Sequence, residues 1–175
     1  MIATADQRRF AFRVKAYGFL ALAAGAYLIW AGLSHWKETH GFLINTTDSL
    51  PNWAFLLDRT VPPEKGALIF FRVPPSNVVD VHFGKGEHLF GKLVLGVPGD
   101  VVSRDGQTLS INGEVVATAK LKTKRGLALS VGPVGVIPSG CYYVGTSNKD
   151  GFDSRYAQIG WICRERIVGT GKAIL

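Results

Sequence analysis

The chain has few of the residues that a metal site requires. It contains only two cysteines, and its four histidines, at positions 35, 40, 82 and 88, do not have the spacing of metal ligands. We find no internal repeat and no motif for an organic cofactor. The sequence therefore predicts a protein without a metal and without a cofactor.

Charge is absent from one long segment near the N-terminus. No Asp, Glu, Lys or Arg occurs between Lys15 and Lys37, which leaves the uncharged residues 16–36. A helix of this length spans roughly 30 Å, the thickness of the hydrocarbon core of a bilayer. Tyr17 near one end and Trp36 at the other are typical of the aromatic belts at the two interfaces. The sequence predicts a transmembrane anchor over residues 16–36.

The residues before this segment are basic and predict its orientation. One acid, Asp6, stands among the basic residues Arg8, Arg9, Arg13 and Lys15. Basic residues stay on the cytoplasmic side, so we expect residues 1–15 in the cytoplasm and residues 37–175 outside it. The alternative is a cleavable signal peptide, which would have a shorter apolar region and a small-x-small cleavage site. The segment "GLSHWKETH" has no convincing site of that kind, which favours a retained anchor.

An excess of positive charge raises the question of nucleic-acid binding. Twenty Lys and Arg against 13 Asp and Glu give a net charge of +7, and the one cluster on the body is "KLKTKRG" at 120–126. No aromatic residue interleaves this cluster to stack on bases. A solvated hairpin or loop is the better interpretation, and we expect no nucleic-acid partner.

No long stretch of helical periodicity appears after residue 37, and short apolar runs between turns replace it. The strand-like runs cover residues 67–73, 92–97, 141–147 and 166–175. Between them, Asp105-Gly106 and Asn112-Gly113 are turn pairs that flank an alternating segment, which predicts a three-stranded meander. The body is expected to be mainly β, as one antiparallel barrel or sandwich.

One lysine lies within an apolar run. Lys92 is preceded by Leu89 and Phe90 and followed by "LVL". A buried lysine is costly unless it is paired or neutral, and a neutral amine can accept a proton from a hydroxyl. The alternative is an amine that reaches water or faces outward from an edge strand. Ser49, in "NTTDSLP", would by itself be a turn residue.

Three motifs together resemble a known family. "NTTDSLP" (45–51), "GKLVLGVPGD" (91–100) and "GTSNKDGFDSRYAQIGW" (145–161) have the order and spacing of the type I signal peptidases, which use a Ser/Lys dyad. The chain looks closest to the conjugative branch, the TraF-type pilin peptidases. The resemblance extends from about residue 15 to the C-terminus. It implies a single membrane anchor followed by an extracytoplasmic β domain of the signal-peptidase type.

The resemblance implies a role for five residues. Ser49 matches the nucleophile and Lys92 the general base. Thr47 matches the residue whose hydroxyl, with the Ser49 backbone N–H, holds the oxyanion. Asp153 and Arg155 match residues that support the site, although a purely structural ion pair is the better description of Arg155.

The chain departs from the family pattern at four positions. Leu50 replaces the methionine of ordinary signal peptidases and is similar to the conjugative branch, whereas Trp53 replaces a glycine that is common in that branch. Leu93 follows the lysine where a basic residue is usual. Gly151 replaces a serine that hydrogen-bonds the lysine, and the nearby hydroxyls of Ser147 and Ser154 are the candidates to replace it.

The resemblance implies a membrane-anchored serine endopeptidase that matures exported or membrane-inserted precursors, most specifically a conjugative pilin. Its partners would be a membrane-tethered precursor, membrane lipid and components of a secretion system. The alternative is a catalytically inactive, peptidase-like assembly factor. The segment "WAFLL" (53–57) could dip into the membrane interface or pack in the core.

Two cysteines remain to be interpreted. In an oxidising compartment Cys141 and Cys163 would be expected to pair and to brace the "DSR" segment between them. The alternative is two small buried side chains.

Overall fold

The structure is a computed structural model, and it describes residues 5–46 and 50–174. Two compact units are present, Met1–His40 and Gly41–Leu175. The first consists of helix α1, Ala5–Thr39. Within it, the segment Arg13–Thr39 is long and apolar enough to cross a membrane, by length and composition alone. Because a signal sequence would satisfy the same criteria, the span over residues 16–36 and its orientation stay predictions.

The second unit is mainly β. Its strands are β1 His40–Ile44, β2 Ala54–Asp58, β3 Leu68–Arg72, β4 Leu89–Gly96, β5 Val101–Asp105, β6 Thr108–Ile111, β7 Glu114–Thr118, β8 Gly135–Val136, β9 Cys141–Gly145, β10 Ile162–Cys163 and β11 Ile167–Ala173. Helix α2, Asn77–Phe83, precedes β4, and a 3₁₀ turn, Arg164–Arg166, precedes β11. The mainly β class with an apolar N-terminal helix is therefore confirmed.

Two sheets form, and neither closes on itself. The larger sheet has the order β1-β2-β11-β3-β4-β9-β10, and the smaller one has the order β7-β6-β5-β8. In the part of the chain that the structure describes, β1 and β10 are opposite edges of the larger sheet, so of the two expected alternatives, a barrel or a sandwich, the closed barrel does not form. One of the two edge strands, β10, has only two residues, too few to template another strand.

The predicted meander is confirmed as β5, β6 and β7. The pairs Asp105↔Thr108 and Ile111↔Glu114 each enclose a two-residue turn. In the second turn Asn112 and Gly113 both have positive φ, 51° and 88°. This is the left-handed pair that a tight antiparallel hairpin needs, because its twist matches that of the strands.

The hydrophobic core lies on both faces of the larger sheet. On one face, a cluster that includes Ile69, Val94 and Val144 packs against Val79 of α2. On the other face, Phe55 and Leu57 of β2 pack against Phe70. Phe55 and Leu57 are each 2% exposed, so these two residues of "WAFLL" pack in the core. Trp53, the first residue of the segment, is exposed.

A disulfide joins the last strands of the larger sheet. Cys141 of β9 and Cys163 of β10 are register partners and are bonded to each other. The bond closes a loop with a sequence separation of 22, which in a chain-entropy model stabilises the fold by about 3 kcal/mol. The closed loop contains Asp153 and Arg155.

Candidate active site

A cleft of about 440 Å³ brings together several of the segments that the sequence singled out. Ser49 and Thr47 lie outside the described residues. The residues that border this gap, Thr46 and Leu50, both line the cleft. Lys92 and Gly151 line it as well, so the first, second and third sequence motifs each contribute residues to one cavity.

Asn45 hydrogen-bonds to residues that follow the 47–49 segment. Its side-chain Nδ2 donates to the backbone oxygens of Leu50 and Asn52, each at 3.0 Å. Its backbone N–H donates to the Trp53 oxygen at 2.8 Å. One residue therefore attaches the end of β1 to the segment that begins at Leu50, and asparagine commonly makes backbone hydrogen bonds of this kind.

Lys92 is buried in the middle of the larger sheet. It lies on β4, which is hydrogen-bonded to β3 on one side and β9 on the other. Its residue partner on β3 is Ile69, and its side chain is only 4% exposed. An outward orientation on an edge strand, the alternative from sequence, is therefore wrong. The Nζ atom lies 5.8 Å from the centroid of the Phe90 ring.

Burial lowers the pKa of Lys92 below its ordinary value of 10.5. Desolvation is the largest cause, because the charged ammonium loses its hydration and the neutral amine loses little. The carboxylate of Asp153 opposes the shift and the guanidinium of Arg155 reinforces it. The amine is therefore moved towards the form that can act as a base.

Asp153 and Arg155 form a buried ion pair. Arg155 Nε donates to Asp153 Oδ1 at 2.8 Å, and Arg155 Nη2 donates to Asp153 Oδ2 at 2.9 Å. The two side chains are 1% and 3% exposed. Two parallel hydrogen bonds of this kind fix the orientation of both groups.

Arg155 also organises the wall of the cleft. Its Nη2 donates to the backbone oxygens of Thr146 and Asn148 at 3.1 and 3.2 Å. The loop that follows β9 is thereby attached to the ion pair, and Gly151 lies in that loop. The guanidinium thus has a structural role in the described geometry: it holds the loop after β9, which contributes residues to the cleft that Lys92 lines.

The surroundings of Gly151 show which hydroxyl is available near Lys92. Ser154 is already used, because its Oγ accepts from Val144 N at 2.9 Å and donates to Gly160 O at 2.7 Å. Ser147 is exposed. In contrast, Thr146 Oγ1 is buried without a hydrogen-bond partner in the described chain, and a Cβ at position 151 would lie 2.7 Å from it.

Thr146 was not identified from the sequence. The pair Leu93↔Gly145 is antiparallel, so the next step of the register sets Thr146 opposite Lys92. Residues directly opposite in an antiparallel pair have neighbouring side chains on the same face. The proximity of Thr146 to Lys92 follows from the register of β4 and β9, which the sequence alone does not specify.

Gly91, the residue before Lys92, allows the side chains of Phe70 and Leu50 to pack closely against β4. A Cβ at Gly91 would lie 2.7 Å from Phe70 Cε1 and 3.0 Å from Leu50 Cδ1. Any larger side chain at this position would displace Leu50, the residue that borders the 47–49 segment. Gly91 is thus required by close packing of the cleft.

The motif "VPGD" forms the turn after β4. Asp100 Oδ2 accepts from Val97 N at 2.9 Å and its Oδ1 accepts from Asn112 Nδ2 at 2.8 Å. The hydrogen bond from Val97, followed by that from Asn112, lowers the pKa of Asp100. This aspartate therefore stabilises a turn and connects the two sheets.

Comparison with known proteins agrees with these features. Residues 14–175 match the family model described as "Signal peptidase, peptidase S26". The chain is similar to signal peptidase I T of Bacillus subtilis strain 168, at 39% identity over 92 residues, which cover 47% of each protein. The chain thus spans about half the length of this curated relative. A solved signal peptidase I from Enterococcus faecalis V583 is similar at a TM-score of 0.40 and 21% identity, over 63% of this chain and 97% of the solved one.

Proposed function

Because the chain belongs to the signal peptidase family, peptidase S26, we propose that it is a serine endopeptidase with Ser49 as nucleophile and Lys92 as general base. The observation that carries this proposal is the burial of Lys92, at 4% exposure, in a cleft that Thr46 and Leu50 also line. A lysine that is neutral in a cleft is a base that can activate a hydroxyl.

The reaction is acyl transfer in two halves. Neutral Lys92 takes the proton of the Ser49 hydroxyl while the serine oxygen attacks the peptide carbonyl. The Ser49 backbone N–H and the Thr47 hydroxyl hold the oxyanion. Lys92 returns its proton to the leaving amine, and a water activated in the same way then hydrolyses the ester.

The N-terminal helix supplies the location. In this proposal residues 16–36 anchor the enzyme, residues 1–15 stay in the cytoplasm and residues 37–175 form the peptidase domain on the outer side of the cytoplasmic membrane. A precursor held by its own apolar segment would present its cleavage site near the membrane. Because the enzyme and its precursor are both held in the membrane, they would meet by diffusion in the bilayer and not by diffusion in free solution.

The proposed substrate is an exported precursor, and more specifically a conjugative pilin. This finer assignment rests on the motif "NTTDSLP", whose Leu50 is similar to the TraF-type branch. In such an enzyme the ester can be resolved by water or by the amine of the same pilin chain. Cyclisation gives a product that is one water lighter than the linear product, so mass spectrometry distinguishes the two.

Replacement of Ser49 tests the proposed function. Ser49→Ala is expected to lower the cleavage rate of a co-expressed membrane-tethered pilin precursor by roughly 10⁴-fold or more, because the nucleophile is lost. Accumulation of full-length precursor, followed by immunoblotting, is the measurement. Ser103→Ala, at an exposed position on β5, is the matched control and should process the precursor normally.

Normal processing by Ser49→Ala would leave the chain as a non-catalytic assembly factor. In that case the cells should still need the protein for pilus assembly, and the processing should continue in its absence. The second result identifies another peptidase as the enzyme.

We propose further that the Thr146 hydroxyl orients Lys92. It is buried, unpartnered in the described chain and opposite Lys92 in the sheet register. An oxygen that accepts one N–H of the amine would aim the nitrogen lone pair at the nucleophile. Thr146 would then be a positioning residue that acts through Lys92.

Thr146→Val keeps the shape and removes the hydroxyl. It is expected to lower kcat by roughly tenfold to a hundredfold with little change in KM, since the misplaced base acts in the transition state and not in binding. Single-turnover cleavage and substrate titration separate the two parameters. Thr170→Val, on β11 outside the cleft, is the control.

The close approach at Gly151 supplies a rescue test. Gly151→Ser alone should lower activity, because its Cβ would lie 2.7 Å from Thr146 Oγ1. Combined with Thr146→Ala, the shortest of these contacts is removed, the Cβ still lies 3.0 Å from Asn148 O and from Asp153 Oδ2, and the serine delivers a hydroxyl to the vacated space. The double variant should therefore be more active than either single variant. Additive losses would contradict a shared role.

A further inference from the structure

A second cleft adjoins the candidate active site. Its volume is also about 440 Å³, and Phe83, Asp150 and Phe152 line both clefts. The second cleft lies between helix α2 and the segment 120–129. A chain that leaves the active site past Phe83 and Phe152 would therefore enter it.

The floor and the rim of this cleft differ in chemistry. The floor consists of three buried hydrophobic residues that line the cleft, Val78, Leu129 and Tyr156. The rim carries Lys120, Lys122 and Lys124, the cluster that the sequence showed as "KLKTKRG". An apolar floor beneath a cationic rim suits a polypeptide segment that pairs an apolar side chain with an acidic one.

The rim keeps a positive charge after its internal pairing. Asp150 accepts a hydrogen bond from Lys120 and lies 3.3 Å from Lys124 Nζ, measured to its Oδ2. These contacts lower the pKa of Asp150, so its carboxylate is charged. One carboxylate against three lysines leaves an excess of two positive charges, and Lys122 is exposed.

The basic segment is shaped as a rigid hairpin and not as a loose loop. Lys122 and Ala128 form an antiparallel bridge, and Thr123 N donates to Leu127 O at 2.9 Å. Arg125 reaches across and donates to the Val81 oxygen of α2. The lysines are therefore displayed on a fixed support that is attached to the opposite wall.

We propose that this basic cleft binds the precursor segment next to the scissile bond and selects substrates with an acidic residue there. The proposal rests on the proposed function, because the occupant is the substrate of that site. Continuity through Phe83 and Phe152 and charge complementarity both favour an extended polypeptide. The selected class is a precursor in which an acidic residue accompanies an apolar one within a few positions of the cleavage site.

Cleavage of a matched peptide series tests this specificity. Each peptide carries one Glu, one Gln as its neutral isostere, or one Lys at successive positions on both sides of the scissile bond. The full-length enzyme in phosphatidylcholine nanodiscs should prefer Glu at one position, by about fivefold in kcat/KM at low salt, and lose this preference at high salt. Lys122→Glu should reverse the preference in favour of Lys at that position. Lys172→Glu, exposed on β11, should leave it unchanged.

Binding to an inactive variant separates this proposal from the proposed function. Ser49→Ala should bind the Glu peptide more tightly than the Gln peptide in fluorescence anisotropy, and the difference should vanish in Ser49→Ala/Lys122→Glu. Equal affinity for both peptides, or a preference that survives the charge reversal, would overturn the proposal even if cleavage is normal. An effect of Lys122→Glu that appears only in nanodiscs with phosphatidylglycerol would assign the lysines to lipid headgroups and overturn it as well. Failure of cleavage with the binding preference intact would instead count against the peptidase proposal alone.

Discussion

Lys92→Met should abolish proteolysis without weakening the fold. Loss of a general base costs about 10²- to 10⁴-fold in rate. Methionine has a similar volume and no charge, and the lysine it replaces is 4% exposed among apolar neighbours. The free energy of unfolding at neutral pH should therefore be unchanged or higher in the variant. Urea unfolding in detergent, beside a cleavage assay on the same sample, measures both.

The pH dependence of the free energy of unfolding provides a second, independent test of the lowered pKa of Lys92. The pKa of Lys92 is lower in the folded chain than its ordinary value of 10.5, so the unfolded chain binds more protons between these two pKa values. The free energy of unfolding of the wild type should rise with pH in that window and should lack this rise in Lys92→Met. Lys92→Arg should be inactive too, because arginine does not deprotonate, and it should be destabilised. A variant without lysine at this position that cleaves at the normal rate would contradict the assignment.

Arg155→Met should cause the largest loss of stability of any single change considered. It removes the two side-chain hydrogen bonds from a carboxylate that is 1% exposed, and it removes the guanidinium donor from the Thr146 and Asn148 oxygens. Breaking a buried ion pair in this way costs about 3–5 kcal/mol. The unfolding midpoint in urea is the measurement.

Two variants show whether the loss comes from the buried charge. Asp153→Leu/Arg155→Met removes both partners and should be less destabilised than Arg155→Met alone, since no unpaired charge remains. Arg72→Met breaks an exposed pair with Glu87, 3.7 Å apart, and should change stability by less than about 1 kcal/mol. If Arg155→Met were as stable as Arg72→Met, the ion pair would not organise the cleft.

Much of the fold was predictable because the turns are local. Asn112-Gly113 specifies one tight hairpin by its own backbone preferences and Gly106 specifies the other, although its turn is Gly106–Gln107 and not the predicted pair Asp105-Gly106. The meander therefore followed from sequence alone. The order of the larger sheet did not, because β11 inserts between β2 and β3, which are far from it in the chain. A pattern of alternating residues carries no information on such distant pairing or on whether a sheet closes, and the sequence left the choice between a barrel and a sandwich open for that reason.

The candidate site divides in the same way. The apolar run around Lys92 left open whether the amine is buried or reaches water, and the structure has it buried between two neighbouring strands. Thr146 could not be identified, because its relation to Lys92 depends on the register of β4 and β9 across a loop of many residues. The close contacts around Gly151 likewise depend on how the loop after β9 folds back on Thr146, which no local sequence pattern specifies. The roles of Ser49, Thr47, Asp153 and Arg155 stay predictions.

The pH–rate profile of precursor cleavage tests most directly whether Lys92 works as a neutral base. Single-turnover rates of the wild type should rise with pH along a limb whose midpoint lies below 10.5, and Lys92→Met should have no such limb. A limb at the ordinary lysine value, or the same limb in Lys92→Met, would contradict the account.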